Sequence, residues 1–395
     1  MVGVSMKENI VKNKYLYLGI ILCILIIIAI YINLFTTEET FYKIEIYQKI
    51  KLSDIIVDRD LSEDKEIQAT KLGNQEFSYQ YIEDGKKKTG KVKVRAVDKT
   101  PPLVWLGSVY TVNKGSKINL EEAILCMDNY DRTPDYYIEG DYNLNEVGDY
   151  PLTYVATDDS QNETRINFTL RVKEKSSDNS NSNSSTNRLT LEEVKNDYLT
   201  DDTTLGIDVS KWQGEIDWQE VKSAGVEFVM IRMGTQQGPG KDSVIDPYFK
   251  KNITGAKEAG FKVGVYYFSY AASIKEAKEQ AEWVVNELAS YELDLPVVFD
   301  WECYGNLKEY KLNLYELNEM ANQFLERINS SGYQSMFYAS KNYLEKLWIY
   351  IEHDIWLAHY TDKTNYEGDY LLWQFTNVGK ISGIDGNVDI DLMLP

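Results

Sequence analysis

Two regimes of hydrophobic patterning divide this chain. Between residues 41 and 173 apolar and polar positions alternate in short runs, among them KVKVRAVDKTPP, SVYTVNKGSKINL, DYPLTYVATDDS and TRINFTLRVKE, separated by Gly, Asn and Asp. Alternation with period two marks strands that bury one face. Pro101 and Pro102 cannot donate to a ladder and set a boundary. The pattern predicts a β module over 41–100 and a small β-sandwich over 101–173. From about residue 200 the alternation gives way to solid apolar runs with helical stretches between them. LGIDVS, FVMIRMG, KVGVYYFSY, PVVFDWE, SMFYAS, IWLAHY, YLLWQFT and NVDIDLM read as strands. DWQEVKSAG, with Asp217 as cap and Gly225 as stop, reads as a helix. A longer helix starts near Ser273 and carries Ile274, Ala277, Ala281, Val284 and Leu288 on one stripe. Eight strands with helices after the first five predict an α/β fold for residues 200–395, an eight-stranded TIM-like barrel. In such barrels reactive groups sit at the C-terminal strand ends, where Asp208, Asp300 and Glu302 fall.

A third pattern precedes both. YLYLGIILCILIIIAIYINLF, residues 15–35, is uncharged and long enough for one bilayer crossing. Lys7, Lys12 and Lys14 come before it and Glu38 and Glu39 after, so positive-inside orientation predicts a cytoplasmic N-terminus over 1–14 and everything beyond 36 outside the cell. No small-residue cleavage site follows the run, which favours an uncleaved anchor over a signal peptide. SSDNSNSNSSTN, within 174–199, reads as a flexible polar linker between the sandwich and the C-terminal domain.

Composition narrows the function. A formal charge of -20 argues against nucleic acid as partner. Cys23, Cys126 and Cys303 are too far apart to suggest a disulfide framework or a zinc site. With His353 and His359 as the two histidines, the reading assigns no metal and no cofactor. Thirty tyrosines and eight tryptophans supply core, and also surfaces on which sugar rings stack.

VVFDWEC, residues 297–303, ends a buried run on two acids. Residues i and i+2 of a strand point the same way, about 6.6 Å apart. Paired carboxylates are what glycoside hydrolysis needs, one to protonate the leaving oxygen and one to stabilise or attack the oxocarbenium-like centre. Their mutual repulsion also keeps one of them protonated. D-x-E alone recurs by chance.

The surrounding motifs give it a context. GIDVSKWQGEIDW resembles the opening motif of glycoside hydrolase family 25, the lysozymes of the N,O-diacetylmuramidase type. The resemblance continues in order through GVEFVMIRMG, GVYYFSYA, PVVFDWE, IWLAHY, LLWQFT and GIDGNVDID. It implies a barrel that cuts the β-1,4 bond from N-acetylmuramic acid to N-acetylglucosamine in peptidoglycan. Carried over residue by residue, it makes Glu302 the general acid, Asp300 its partner, and Asp208 and Asp389 the remaining acids. Family members more often have Asn where this chain has Asp391, so whether Asp389 or Asp391 faces the site stays open. Tyr267, Tyr338, Trp356 and Trp373 are candidate sugar-stacking residues, with barrel core as the alternative. Cys303, with no nearby His to activate it, reads as a small buried hydrophobe. VGDYPLTYVATDDSQNET resembles bacterial immunoglobulin-like surface modules, which would space the enzyme and offer a surface to cell-surface protein partners. The expected location is the cell membrane, held by residues 15–35. The rival functions are a chitinase-like hydrolase of family 18, whose D-x-E follows a longer series of acids, and a non-catalytic wall-binding protein.

Overall fold

The computed structural model describes residues 41–175, 191–200 and 202–395. The anchor expected over 15–35 and the linker segment 176–187 lie outside them. Among the described residues no helix is long and apolar enough to cross a membrane. The chain divides into two compact units, one ending at Asp98 and one running from Lys99 to Pro395.

The first unit is β structure, as its alternation predicts. Strands Gly73–Glu83 and Lys86–Val97 form an antiparallel hairpin. Asp84 and Gly85 turn it with φ of 52° and 71°, the paired positive values of the turn that matches strand twist. Tyr42–Glu45 adds in parallel to one edge and Asp60–Leu61 to the other. Ile44, Leu52, Ile67, Val94 and Ala96 are buried in this unit.

The second unit begins with two facing sheets. Asp135–Glu139, Gly148–Thr157, Glu163–Lys173 and Val109–Asn113 form one sheet in that order, and Leu103–Trp105 pairs with Leu125–Met127 in the other. Alternation gives the smaller sheet two apolar faces. Val104 and Cys126 turn onto Leu152, Tyr154, Phe168 and Leu170, whereas Leu103, Trp105, Leu125 and Met127 join the outer apolar layer of the barrel. Leaving either face in water would forfeit roughly 25 cal/mol for each Å² of apolar surface. Sandwich and barrel, expected as bodies separated by a linker, are one packed unit.

The barrel strands are β1 (Thr204–Val209), β2 (Phe228–Gln236), β3 (Lys262–Ser269), β4 (Val297–Trp301), β5 (Ser335–Ser340), β6 (Asp354–Ala358), β7 (Leu372–Gly379) and β8 (Val388–Met393). β1 to β7 run parallel, and β8 closes the ring antiparallel to both β7 and β1. Helices α1 (Trp218–Ser223), α2 (Phe249–Glu258), α3 (Ile274–Leu288), α4 (Leu314–Ser330) and α5 (Lys341–Leu344) follow the first five strands, as the patterning predicts. Asp217 caps α1 by accepting from the Gln219 and Glu220 amides, and Ser273 caps α3 through the Glu276 amide. Inside the barrel Phe228, Met230, Tyr266, Val298, Met336, Tyr338 and Trp356 form one cluster. Gly206 is needed at the floor, where an added Cβ would lie 2.1 Å from the Phe228 ring.

Two further segments hold to the barrel. Helix Leu191–Tyr198 buries Val194, and its Tyr198 stacks on Phe375 at 4.6 Å, so the C-terminal body starts inside the segment read as linker. At the N-terminus of α4, where helix amides lack internal partners, the Leu314 amide donates to the Asp128 carbonyl at 2.7 Å. The Asn313 side chain donates to the Tyr130 carbonyl at 2.7 Å, and Arg132 pairs with Glu316. The sandwich thus completes the cap of a barrel helix.

Candidate active site

Strand register assembles the site. Phe268, Asp300, Tyr338 and Trp356 are successive partners across β3, β4, β5 and β6, so one inward layer runs through all four. Asp208 lies opposite Asp389 in the antiparallel β1/β8 pair. Glu302 stands just past the end of β4, on the Asp300 side of the alternation. Asp208, Asp300, Glu302 and Asp389 all line a single cleft of about 220 Å³, together with Tyr338 and Trp356.

The acids are held differently. Asp300 is buried, and its carboxyl is pushed well above the ordinary range by burial first and the Glu302 charge second; the Arg232 guanidinium opposes the rise. Glu302 is raised by burial, while a hydrogen bond with Asp300 acts in the opposite sense. Two carboxyls so placed share a proton and titrate as a pair. Asp389 is pushed up to about 6, chiefly by burial. Asp208 is raised by burial and then by the charges of Asp389 and Asp391.

The open question at the chain's end resolves as a division of labour. Asp389 lines the cleft. Asp391 is fully buried behind it and accepts from the Trp356 indole at 2.8 Å. Burial and the Asp389 charge hold the Asp391 carboxyl well above the usual range.

Two of the four aromatic candidates are elsewhere. Tyr267 points to the helix layer, its hydroxyl bonded to Ser243 at 2.7 Å and its ring beside Trp283 and Phe324. Trp373 points outward as well, donating to the His359 carbonyl at 2.9 Å and packing on Tyr198 and Phe375. Both are core. Their chain neighbours Tyr266 and Gln374 occupy the cleft instead, a displacement of one residue and hence of one strand face. His353 and His359 bond to Ser335 and Thr364. Cys303 is buried, its thiol raised to about 11 chiefly by burial, which leaves it unreactive.

Several cleft residues lie inside the quoted motifs but outside the set of candidates. Gln374 donates to Asp208 at 2.7 Å and accepts from Tyr338 and Tyr360 at 2.9 Å each. Arg232 is paired with buried Asp246 at 2.7 Å, and Asp246 also accepts from the Lys211 amide at 3.2 Å. That bond ties the cation of β2 to the loop after β1. Within that loop Ser210 caps a single turn over Lys211–Gln213, and Trp212 stands 75% exposed at the cleft rim, with the Lys211 ammonium 4.7 Å from its ring centre. The SKWQG run was the available signal for this rim. The arrangement offers a shared proton, flanking acids and aromatic walls, which is the equipment of glycosidic-bond cleavage.

Comparison with known proteins agrees with this chemistry. The family model for glycosyl hydrolases family 25 matches residues 207–384. The Escherichia coli (strain K12) protein YegX is 30% identical over 196 residues, 48% of this chain and 69% of that protein. The autolytic lysozyme of Clostridium acetobutylicum is 26% identical over 189 residues, 47% of this chain and 54% of that protein. Among solved structures, a family 25 glycosyl hydrolase from Bacillus anthracis aligns at 28% identity over 50% of this chain and 91% of that chain, with a TM-score of 0.42.

Proposed function

The chain belongs to glycosyl hydrolases family 25 and is a glycoside hydrolase of the lysozyme type, and we propose that it cuts the β-1,4 bond from N-acetylmuramic acid to N-acetylglucosamine, with Glu302 as general acid and Asp300 as its partner. The observation that carries this reading is the convergence of Glu302, Asp300, Asp208 and Asp389 on one cleft at the C-terminal ends of the strands. Glu302 gives its proton to the glycosidic oxygen as the C–O bond breaks. The acetamido carbonyl oxygen of the muramic acid closes on the anomeric carbon, and Asp300 accepts from the acetamido N–H and balances the positive charge. Water, deprotonated by the Glu302 carboxylate, then opens the cyclic intermediate with net retention and restores the proton to Glu302. Asp208 and Asp389 act through the field of the site. Trp212 supplies sugar-stacking surface at the rim, and Tyr338 and Trp356 form the buried wall of the cleft beneath it.

We further propose that residues 15–35 hold the enzyme on the outer face of the cell membrane, a reading supported by the flanking charges. The two facing sheets within 101–173 support an immunoglobulin-like module. Anchoring confines cutting to wall within reach of the tether and raises its local concentration.

The test is mass analysis of fragments released from purified peptidoglycan by the full chain. Reducing N-acetylmuramic acid ends are expected. Reducing N-acetylglucosamine ends or anhydro-muramic ends would assign the enzyme to another reaction.

A further inference from the structure

Next to the catalytic cleft lies a second cavity, about 460 Å³, between the sandwich and the barrel. Trp105, Glu122 and Leu125 of the sandwich form one wall, and Tyr304 and Lys308 of the segment between β4 and α4, with Tyr343 of α5, form the other. Its aromatic surface is built from both bodies. Trp105 meets Tyr343 edge to face at 5.0 Å, and Tyr343 stacks parallel to Tyr304. Tyr304 follows Glu302 by two residues. Burial raises the hydroxyls of Tyr304 and Tyr343, and the Glu302 charge adds to both, so the cavity is within electrostatic reach of the catalytic acid. Its sandwich wall is fixed to the barrel by the bonds of Asp128, Tyr130 and Arg132 to the start of α4. The Lys308 ammonium adds one more by donating to the Glu122 carbonyl at 2.5 Å.

We propose that this cavity is a second saccharide site, which takes an N-acetylated sugar of the same glycan strand beyond the units held in the cleft. The inference rests on the muramidase reading for the identity of the strand. The chemistry of the walls selects the ligand. Aromatic faces stack on the apolar C–H face of a pyranose ring, and an ammonium and a carboxylate at the rim suit hydroxyl and acetamido groups. Lys308 and Glu122 are the charged residues of the lining, and they cancel. A cavity without net charge favours a neutral sugar over the anionic stem peptide of the wall. Because the sandwich supplies half of the site, the module acts as part of the substrate groove.

The test follows the Trp105 indole N–H signal by NMR in the full chain while a tetramer of N-acetylglucosamine, or separately a soluble stem peptide, is added. The expected result is a saturable shift with the tetramer and none with the peptide. Tetramer affinity, measured by calorimetry because the indole signal is absent in this variant, should fall about tenfold in Trp105→Ala, the loss of one well-packed aromatic contact. Lys308→Gln, at an exposed position, removes the ammonium and its bond to the Glu122 carbonyl but leaves the Trp105, Tyr343 and Tyr304 ring contacts in place, and should also weaken it. A Trp105 signal indifferent to the tetramer, or responsive to the peptide alone, overturns the proposal. A chain that cuts peptidoglycan while Trp105 stays silent fails the cavity and keeps the muramidase. Trp105 response without any cutting does the reverse.

Discussion

Gln374 donates its side-chain amide to the Asp208 carboxylate across 2.7 Å, while its carbonyl oxygen accepts the Tyr338 hydroxyl at 2.9 Å. One amide thereby sets the orientation of an acid from β1 and an aromatic from β5. Gln374→Leu takes the partner from Asp208, Tyr338 and Tyr360 at once. Buried groups left unpaired cost on the order of 1–3 kcal/mol each, so the variant should melt several degrees lower in a thermal scan and lose part of its activity through Asp208. An unchanged melting temperature would show that the network does not hold the site.

Glu302→Gln keeps the shape of the acid and has no proton of suitable acidity to donate. General acid catalysis contributes about 10²–10⁴-fold, and a loss at least that large is expected on native wall, with sugar binding retained. Substrates with better leaving groups should partly rescue Glu302→Gln and fail to rescue Asp300→Asn, because Asp300 acts on the acetamido group and the positive centre. Near-normal turnover of Glu302→Gln on native wall would remove the catalytic assignment.

The pH profile follows from the raised carboxyls. Burial keeps the last proton of the Asp300/Glu302 pair above the ordinary carboxylate range, and Asp389 stands near 6. An acid with a raised value stays protonated to higher pH, so kcat/KM should hold through mildly acidic pH and fall as pH rises through the pair's value. The profile measured on purified wall should show a descending limb above that of an ordinary glutamic acid. A limb near 4.5 would contradict the shift.

Stability should move in the opposite direction from that of a salt-bridged protein. Asp208, Asp300 and Asp391 have folded values above their unfolded ones, so the native state binds more protons than the unfolded chain. Stability then declines as pH rises from about 4 through the folded values. Asp391→Asn keeps an acceptor for Trp356 and removes one of these burdens. The variant should gain over the parent at pH 8 and gain little at pH 5, by about 2–4 °C for each kcal/mol relieved. Equal gains at both pH values would show that titration of Asp391 is not the cause.

The anchor predicts topology. Protease added to intact protoplasts should remove the mass beyond residue 36. A protected C-terminal domain would reverse the orientation read from Lys7, Lys12 and Lys14 against Glu38 and Glu39.

Periodicity made much of this protein legible from its residues alone. Helices declare themselves by one apolar stripe and a cap, as at Ser273, and D-x-E at a strand end puts Asp300 and Glu302 on one face whatever surrounds them. Which face of a barrel strand looks inward is another matter. KVGVYYFSY and YLLWQFT carry large buried side chains on both faces, so strict alternation does not mark the inward face at Tyr266 against Tyr267 or at Trp373 against Gln374. Register decides it, by aligning Phe268 with Asp300 and thereby turning Tyr266 inward and Tyr267 outward. Asp389 and Asp391 share a face of β8 and differ only in depth, which sets one at the cleft and one beneath it. The docking of the sandwich on α4 joins Asp128 and Tyr130 to Asn313 and Leu314, residues far apart in the chain. Local propensity carries no information about such a contact. It exists because a two-stranded sheet with two apolar faces and a helix end with unpartnered amides satisfy each other only when the whole chain is folded.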